Sequence, residues 1–205
     1  MTHLLLVSGS QGTGKTLAAT IMASHLQSNS KTVTVLSMYD PIIQLVSSIS
    51  GTTEQELIAS KNSASKAVLW GNTRRLSVRE AITEGATITR NFLSTGVAPS
   101  CLKRINESRN LDFIVLTDVY LTSQLSYLRS LGLTSSHIHI DCPAITLSLP
   151  VTTTRALDER ELPTIATYAK PVIHNSFGSP NVSVSSAQAA YQDSLVKFLA
   201  SLPNT

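Results

Sequence analysis

Residues 9 to 16 read Gly-Ser-Gln-Gly-Thr-Gly-Lys-Thr, directly after the apolar run Leu4-Leu5-Leu6-Val7. These eight residues match the phosphate-loop pattern G-x-x-x-x-G-K-[ST] at every position. A buried strand would lead into such a loop, and a helix from Leu17 to Leu26 would continue from it. The sequence therefore predicts a strand, a glycine-rich loop and a helix, in that order.

The residue types in this loop favour the binding of a nucleotide phosphate over a plain glycine-rich turn. Glycines without Cβ atoms let several backbone N–H groups face one anion, and the helix N-terminus adds partial positive charge. We expect Lys15 to reach the β- and γ-phosphates of ATP, and the Thr16 hydroxyl to hold Mg²⁺. The predicted ATP-binding residues here are Gly9, Ser10, Gln11, Gly12, Thr13, Gly14, Lys15 and Thr16.

Length and composition restrict the kind of protein. The 205 residues suit one α/β domain, or one domain with insertions. A net charge of +3, without a dense Lys/Arg run, is too small to indicate nucleic-acid binding. No stretch approaches the 18 apolar residues of a membrane span, and no cleavable leader precedes the first strand. We expect no nucleic-acid or membrane partner.

The two cysteines, Cys101 and Cys142, have neither C-x-x-C spacing nor paired histidines nearby. A reduced pair in a cytoplasmic protein (the host cytoplasm, if the chain is viral) is the preferred interpretation over a disulfide or a zinc site. A homodimer is left open.

Several later segments read as strands of the same sheet as the first. These are Thr32 to Ser37, Leu111 to Asp118, His137 to Asp141 and Pro171 to Asn175. Helical patterns alternate with them and end in an amphipathic helix from Ala187 to Leu202. This order predicts an α/β three-layer sandwich, with a mostly parallel sheet and helices on both faces.

Two acidic residues and two histidines lie at or near strand ends. Asp118 ends an apolar strand, which in a chain with a phosphate loop is the Walker-B arrangement that contacts Mg²⁺. Asp40 precedes Pro41 and would occupy the N-cap of the next helix. His137 and His139 share one face of a strand; we interpret them as surface or edge histidines rather than a metal pair, since no third ligand is near.

Residues 51 to 100 differ from the rest because no strong strand pattern occurs there. Ser77 can cap a helix from Val78 to about Glu84, and a Gly85-Ala86-Thr87 turn would lead to a second helix at Arg90. We predict a helical insertion on the sheet. Its arginines are Arg74, Arg75, Arg79 and Arg90. A second charged segment, from about 149 to 169, contains Arg155 and Arg160 and is predicted to be a lid over the phosphates, the alternative being a solvated helix with ion pairs.

With these pieces in order, the chain resembles the deoxynucleoside monophosphate kinases of tailed bacteriophages, within the wider nucleoside monophosphate kinase group. The phosphate loop carries part of the resemblance. Ser37 to Pro41 is similar to the family's strand that ends in Asp-Pro, and Val78 to Arg90 to its arginine helix, Gly-Thr turn and second arginine. Leu116 to Val119, with the helix up to Arg129, is similar to its Asp-Val-Arg strand end and following helix.

The resemblance implies transfer of the ATP γ-phosphoryl group to a (deoxy)nucleoside monophosphate by a single domain. This domain would carry a monophosphate-binding insertion at about 41–108. Lys15, Arg155 and Arg160 would be catalytic, and Thr16 and Asp118 would hold Mg²⁺. Asn175, at the end of the last predicted strand, is assigned to the ATP site. The implied substrate-binding residues are Asp40, Arg79, Arg90, Asp118, Tyr120 and Gln124.

The chain departs from the family pattern at two of these positions, because Tyr120 replaces an arginine and Gln124 an acidic residue. Two alternatives therefore stay open. One is a P-loop kinase of another small metabolite, of the dephospho-coenzyme A type, and the other is a catalytically degenerate nucleotide-binding protein. The kinase hypothesis requires the loop cations and the Arg79 and Arg90 cations to face each other across a cleft.

Overall fold

The computed structural model describes residues 1–60, 67–70, 74–93, 96–97, 99–144, 160–180 and 182–202. In chain order its elements are β1 (His3–Gly9), α1 (Lys15–Ser28), β2 (Val33–Ser37), α2 (Asp40–Ser50), α3 (Glu54–Ser60), β3 (Ala67–Trp70), β4 (Arg74–Ser77), α4 (Val78–Phe92), α5 (Pro99–Glu107), β5 (Phe113–Thr117), α6 (Thr122–Arg129), β6 (Thr134–Asp141), α7 (Leu162–Tyr168), β7 (Val172–His174) and α8 (Val184–Ala200).

The chain divides into two compact units. The sheet unit comprises Met1–Ser37 and Lys103–Thr205, and the inserted unit comprises Met38–Leu102. The prediction that one kinase domain carries an insertion at 41–108 stays a prediction, although the inserted unit covers most of that range.

The sheet unit is built on a five-stranded sheet in the order β2-β5-β1-β6-β7, with every neighbouring pair parallel. Parallel neighbours need crossover connections, which the alternating helices provide. The apolar run from Leu4 to Val7 forms the centre of β1, which is buried on both faces as expected for a central parallel strand. The predicted α/β fold class is confirmed.

Side chains alternate between the two faces of the sheet, and both faces are covered. Leu5 and Val7 of β1 pack with Phe113 and Val115 of β5 in a core that α1 and α8 complete. Leu4, which alternates with them, is also buried, and α7 contacts β1 and β6. The sheet unit therefore has the three layers that the order of elements predicted.

The inserted unit has an apolar core of its own. Ile42, Ile43 and Val46 of α2 form a cluster with Leu57 of α3 and apolar residues of β4 and α4. Ser77 caps α4 as predicted: its Oγ accepts from Glu80 N, and the Glu80 carboxylate accepts from Ser77 N. This reciprocal pair is a capping box, which fixes the start of the helix.

Two sequence predictions within the inserted unit are wrong. Residues 67–77 contain an antiparallel pair, β3 with β4, where no strand was expected. The predicted Gly85-Ala86-Thr87 turn is the middle of the continuous helix α4. A Cβ on Gly85 would lie 3.1 Å from methyl groups of both Ile42 and Val46, so glycine permits close packing of α4 on α2. The glycine therefore indicates a helix contact, not a chain reversal.

Both cysteines are free and buried, in agreement with the predicted reduced pair. Among the described residues, no helix is sufficiently long and apolar to cross a membrane.

Candidate active site

The carboxyl ends of the parallel strands meet along one edge of the sheet unit, and four of them deliver polar residues there. β1 leads into the phosphate loop, and Ser37 is the last residue of β2. Asp118 follows β5, and Asn175 follows β7. This edge is where ligands of open α/β sheets bind.

The phosphate loop turns tightly between β1 and α1. Thr13 donates to Ser10 O through both its backbone N (3.3 Å) and its Oγ1 (2.8 Å). Gly14 has φ = 97° and precedes α1 in the left-handed region, which favours glycine. A Cβ on Gly9 would collide with Ile140 O of the neighbouring strand β6. Glycine is therefore required at position 14 by the left-handed backbone of the turn, and at position 9 by the close approach of β6.

The N-terminus of α1 differs from those of α4 and α8. Ser77 and Ser183 cap those helices with their side chains, whereas Gly14 has no side chain and the first turn of α1 has no acidic residue. The first N–H groups of any helix lack intrahelical acceptors, so this terminus suits an external anion.

The Lys15 side chain is held over the loop. It is only 7% exposed, and its Nζ donates to Ser10 O at 2.9 Å. The same Nζ lies 3.7 Å from Asp118 Oδ1 and 5.1 Å from the centre of the Tyr120 ring. A carbonyl, a carboxylate and an aromatic face therefore surround one ammonium group.

Asp118 has a strained backbone and several donors to its carboxylate. Its φ is 64°, which is uncommon for a residue other than glycine. Oδ2 accepts from Ser37 Oγ (2.7 Å) and Thr117 Oγ1 (3.0 Å), and Oδ1 accepts from the Tyr120 hydroxyl (3.2 Å). Its location at the end of an apolar strand agrees with the Walker-B pattern, while its role toward metal stays a prediction.

The donor atoms near Asp118 fit Mg²⁺, which prefers oxygen ligands. The Asp118 carboxylate and the Ser37 hydroxyl are in contact, and Thr16 is exposed in the first turn of α1. Within the described ranges, no group of three His, Cys, Asp or Glu residues forms a metal-binding cluster. An ion here would therefore need hydroxyl and phosphate oxygens in addition to one carboxylate.

Tyr120 and Gln124, the two departures from the family pattern, are both buried. The Tyr120 hydroxyl contacts Asp118, and its ring faces Lys15. Gln124 Oε1 accepts from the backbone N of Tyr120 (3.0 Å) and of Leu121 (3.1 Å), which organises the loop before α6. The sequence offered no signal for these internal contacts, and a substrate contact by either residue stays a prediction.

Asn175 and Tyr191 donate hydrogen bonds to two carbonyl groups of the phosphate loop. Asn175 is 2% exposed, and its Nδ2 donates to Thr13 O at 2.8 Å. The Tyr191 hydroxyl, from α8, donates to Gly14 O at 3.1 Å. Sequence reasoning missed Tyr191, because it resembles any apolar residue of an amphipathic helix. It also assigned Asn175 to ATP itself, which stays a prediction.

The prediction that His137 and His139 are surface or edge residues is wrong. β6 lies between β1 and β7, and the two side chains are 4% and 9% exposed. The Ser8 hydroxyl bridges them, 2.7 Å from His137 Nε2 and 2.9 Å from His139 Nδ1. Burial, together with the charges of Arg129 and His139, lowers the pKa of His137 to about 4, and burial also lowers the pKa of His139.

Three of the six predicted substrate-binding residues, Asp40, Arg79 and Arg90, lie in the inserted unit. Asp40 is the first residue of α2 and Tyr39 takes the N-cap position, so the predicted Asp40 cap is wrong. Arg79 is exposed in the first turn of α4, and Arg90 belongs to the same helix. Their Cα atoms are separated by about 16 Å along the axis, at 1.5 Å per residue. One phosphate can bind both only if the side chains extend toward each other.

The predicted lid is described only in its last part. Arg155 lies outside the described residues, and Arg160 is exposed in the turn before α7. Leu162 and Ile165 of α7 are buried on the sheet unit. The Glu161 carboxylate accepts from Thr122 N (2.7 Å) and Thr122 Oγ1 (2.6 Å) at the start of α6. This part of the range is packed, and the lid itself stays a prediction.

No protein-family model matches the chain, and no curated protein matches its sequence. Among solved structures it is similar to thymidylate kinase from Ehrlichia chaffeensis, at 13% identity over 97% of this chain and 98% of that chain, with a TM-score of 0.41. It is also similar to shikimate kinase from Aquifex aeolicus (12% identity, 96% of both chains, TM-score 0.45). A third is shikimate kinase from Acinetobacter baumannii in complex with shikimate (14% identity, 98% of this chain and 95% of that chain, TM-score 0.41). At these identities and TM-scores, the likeness assigns neither a family nor an activity to this chain.

Proposed function

We propose that the chain is a nucleotide kinase that transfers the γ-phosphoryl group of ATP to a (deoxy)nucleoside monophosphate. The observation that carries the proposal is the position of Lys15, which is buried between Ser10 O and the Asp118 carboxylate at the mouth of the phosphate loop. A buried ammonium group beside loop amides suits a polyphosphate, because the anion would replace the acceptors that Lys15 now contacts.

The proposed reaction is a direct phosphoryl transfer. An oxygen of the acceptor phosphate forms a bond to the γ-phosphorus, while the bond from that phosphorus to the β–γ bridging oxygen breaks and ADP leaves. Lys15 and the loop amides would offset the negative charge on the transferring group and on ADP. Thr16 and Asp118 would hold Mg²⁺, which neutralises charge on the β- and γ-phosphates when bound.

The acceptor side of the proposal rests on the inserted unit. The chain's resemblance to the phage kinases implies that Asp40, Arg79 and Arg90 of this unit bind the nucleoside monophosphate. It also implies a lid with Arg155 and Arg160, outside the inserted unit. A monophosphate is a dianion, and it must be neutralised by a second set of cations before it can approach ATP. Arg79 is exposed on α4 and is therefore accessible to such an acceptor.

A second candidate, a P-loop kinase of a different small metabolite, is favoured by Tyr120 and Gln124. In the family pattern these two positions touch the nucleotide acceptor. In this chain both side chains are buried, and both make contacts within the Asp118–Gln124 segment. An acceptor other than a nucleoside monophosphate would not need contacts from these two residues.

An acceptor screen tests the proposal. The protein is incubated with ATP and Mg²⁺, plus each deoxynucleoside and ribonucleoside monophosphate, dephospho-coenzyme A, shikimate, or no acceptor. ADP and the phosphorylated acceptor are quantified by chromatography. Formation of a nucleoside diphosphate supports the first candidate, and turnover with only dephospho-coenzyme A or shikimate supports the second. Binding of ATP by calorimetry without any turnover would leave a nucleotide-binding protein.

The predicted cleft has a separate test. A bisubstrate analogue, in which adenosine and a nucleoside are joined by a polyphosphate chain, should bind more tightly than ATP if both sites face each other. Binding no tighter than that of ATP would contradict the arrangement that phosphate-to-phosphate transfer requires.

A further inference from the structure

The carbonyl groups of the phosphate loop contact distant parts of the sheet unit. Thr13 O accepts from Asn175 Nδ2, 162 positions along the chain, and Gly14 O accepts from the Tyr191 hydroxyl, 177 positions along the chain. Gly14 O also accepts from Ala18 N at 2.8 Å in the first turn of α1. Two successive peptide groups at the loop–helix junction are therefore held by Asn175, which follows β7, and by Tyr191 of α8.

A peptide group is planar, so fixing its carbonyl also fixes the N–H on its opposite side. The carbonyl of Thr13 shares a plane with the N–H of Gly14, and the carbonyl of Gly14 shares one with the N–H of Lys15. With the carbonyls directed toward Asn175 and Tyr191, these two N–H groups are directed away from β7 and α8. Such aligned N–H groups are what a phosphate-binding loop presents to its anion.

Asn175 is itself fixed at several points. Its backbone N donates to Asp141 O (2.7 Å), and its Oδ1 accepts from Phe177 N (3.1 Å), while Nδ2 contacts Thr13 O. These partners define which end of the amide is the donor. The amide supplies both the donor for Thr13 and the acceptor for Phe177, whereas an ionised carboxylate of the same shape would supply acceptors alone.

Tyr191 is anchored by packing. It is 1% exposed in the core cluster formed with β1, α1 and α8, so its ring has little freedom. Burial raises the pKa of its hydroxyl, which therefore remains a donor throughout the neutral range. Its hydroxyl is the polar tip of an otherwise apolar contact.

Gly14 fits closely against these two residues. A Cβ at this position would lie 2.7 Å from Asn175 Nδ2 and 3.6 Å from the Tyr191 hydroxyl oxygen. Two features therefore require glycine at position 14: its left-handed backbone, and the lack of space for a Cβ beside Asn175.

We propose that Asn175 and Tyr191 are positioning residues of the phosphate loop, which orient the N–H groups of Gly14 and Lys15 toward the nucleotide phosphates without contacting the nucleotide. This inference rests on the proposed function insofar as the loop binds ATP. The inference gives Tyr191 a role that the amino-acid sequence did not indicate. For Asn175, it proposes positioning of the loop in place of the direct ATP contact that the sequence analysis assigned.

Tyr191→Phe is the central variant, because it keeps the ring and removes one hydrogen bond. We expect the Kd for MgATP to rise about fivefold, the loss expected for one neutral hydrogen bond, while the Kd for adenosine stays unchanged. Ser194→Ala is the matched control: it removes a hydroxyl that donates to Ala190 O of the same helix, α8, and it should leave both constants unchanged. Calorimetry is done well below the melting temperature of each variant.

A lower melting temperature in Tyr191→Phe with an unchanged Kd for MgATP would overturn the inference, because it would reduce Tyr191 to a core residue. Asn175→Asp, which keeps the shape and replaces the donor by an acceptor, should have a larger effect than Tyr191→Phe. If Asn175→Asp does not fold, Tyr191→Phe still decides the question.

A nucleotide-independent measurement separates this inference from the proposed function. In the protein alone, the amide NMR signals of Gly14 and Lys15 should broaden or shift in Tyr191→Phe and not in Ser194→Ala. If the wild-type protein fails to bind MgATP but these signals change, the proposed function fails while the positioning of the loop is supported. Unchanged signals would overturn the positioning role itself.

Discussion

The sheet unit and the inserted unit hold their predicted functional residues in different ways. In the sheet unit, contacts between distant parts of the chain join Lys15 to Asp118 and Asn175 to Thr13. In the inserted unit, Arg79 lies between Ser77 and Glu80, the two members of a local capping box, and is exposed in the first turn of α4. The first arrangement depends on strand order, and the second on helix periodicity. Changes in the two units should therefore alter different steps.

The largest effect is expected at Lys15. Lys15→Ala should lower kcat about a thousandfold, the upper range for removing one preorganised donor to the developing charge. Lys197→Ala, an exposed lysine of α8, is the control and should retain activity. The rate of ADP formation by each variant, compared with that of the wild-type protein, measures the loss of kcat. Wild-type turnover by Lys15→Ala would mean that the loop is not the donor site.

Acid should destabilise the sheet unit, because burial lowers the pKa values of His3, His137 and His139, which all lie in it. His137 titrates near 6.5 when unfolded and has its pKa lowered to about 4 by burial, so the unfolded state binds more protons between these values. Stability should fall as the pH drops through this window, by on the order of 3 kcal/mol for complete titration.

Denaturant unfolding at several pH values measures this loss. His137→Gln should flatten the dependence on pH between about 4 and 6.5. Equal acid sensitivity of hydrogen exchange in both units would contradict the assignment to the sheet unit.

Gly85→Leu should destabilise the inserted unit by about 2 kcal/mol, because the added atoms overlap Ile42 and Val46 where α2 and α4 pack. Asn91→Leu, at an exposed position of the same helix, is the matched control. Hydrogen exchange in α2 and α4 reports the change. If the acceptor binds this unit, its KM should rise while the Kd for MgATP stays constant.

The smallest effect is expected at Arg79. Arg79→Ala should raise the acceptor KM about tenfold with an unchanged Kd for MgATP, as expected for loss of one ground-state phosphate contact. Arg75→Ala, at an exposed arginine of β4, is the control. An altered Kd for MgATP with a normal acceptor KM would mean that Arg79 acts on the ATP site and not on the acceptor site.

Combining Arg79→Ala with Arg90→Ala tests whether the arginines share one phosphate. Two residues about 16 Å apart along α4 should give additive losses if they contact different groups. Coupling above about 0.5 kcal/mol would indicate a shared anion.

Local sequence signals predicted local structure well. The glycine spacing predicted the loop, the run Leu4 to Val7 predicted a buried strand, and Ser77 predicted a helix start. Each of these depends on residues within a few positions of each other. The same local reasoning misread Gly85, because its neighbour is on another helix.

The chain sequence by itself determined that a phosphate loop, several apolar strands and a carboxylate at a strand end are present. Only the tertiary structure decided that β1 lies between β5 and β6, which buries His137 and His139 and brings Asp118 to Lys15. It also brought Asn175 and Tyr191 to successive loop carbonyls. The physical reason is that periodicity and capping act over a few residues, whereas strand order and side-chain contact depend on packing between segments far apart in the chain.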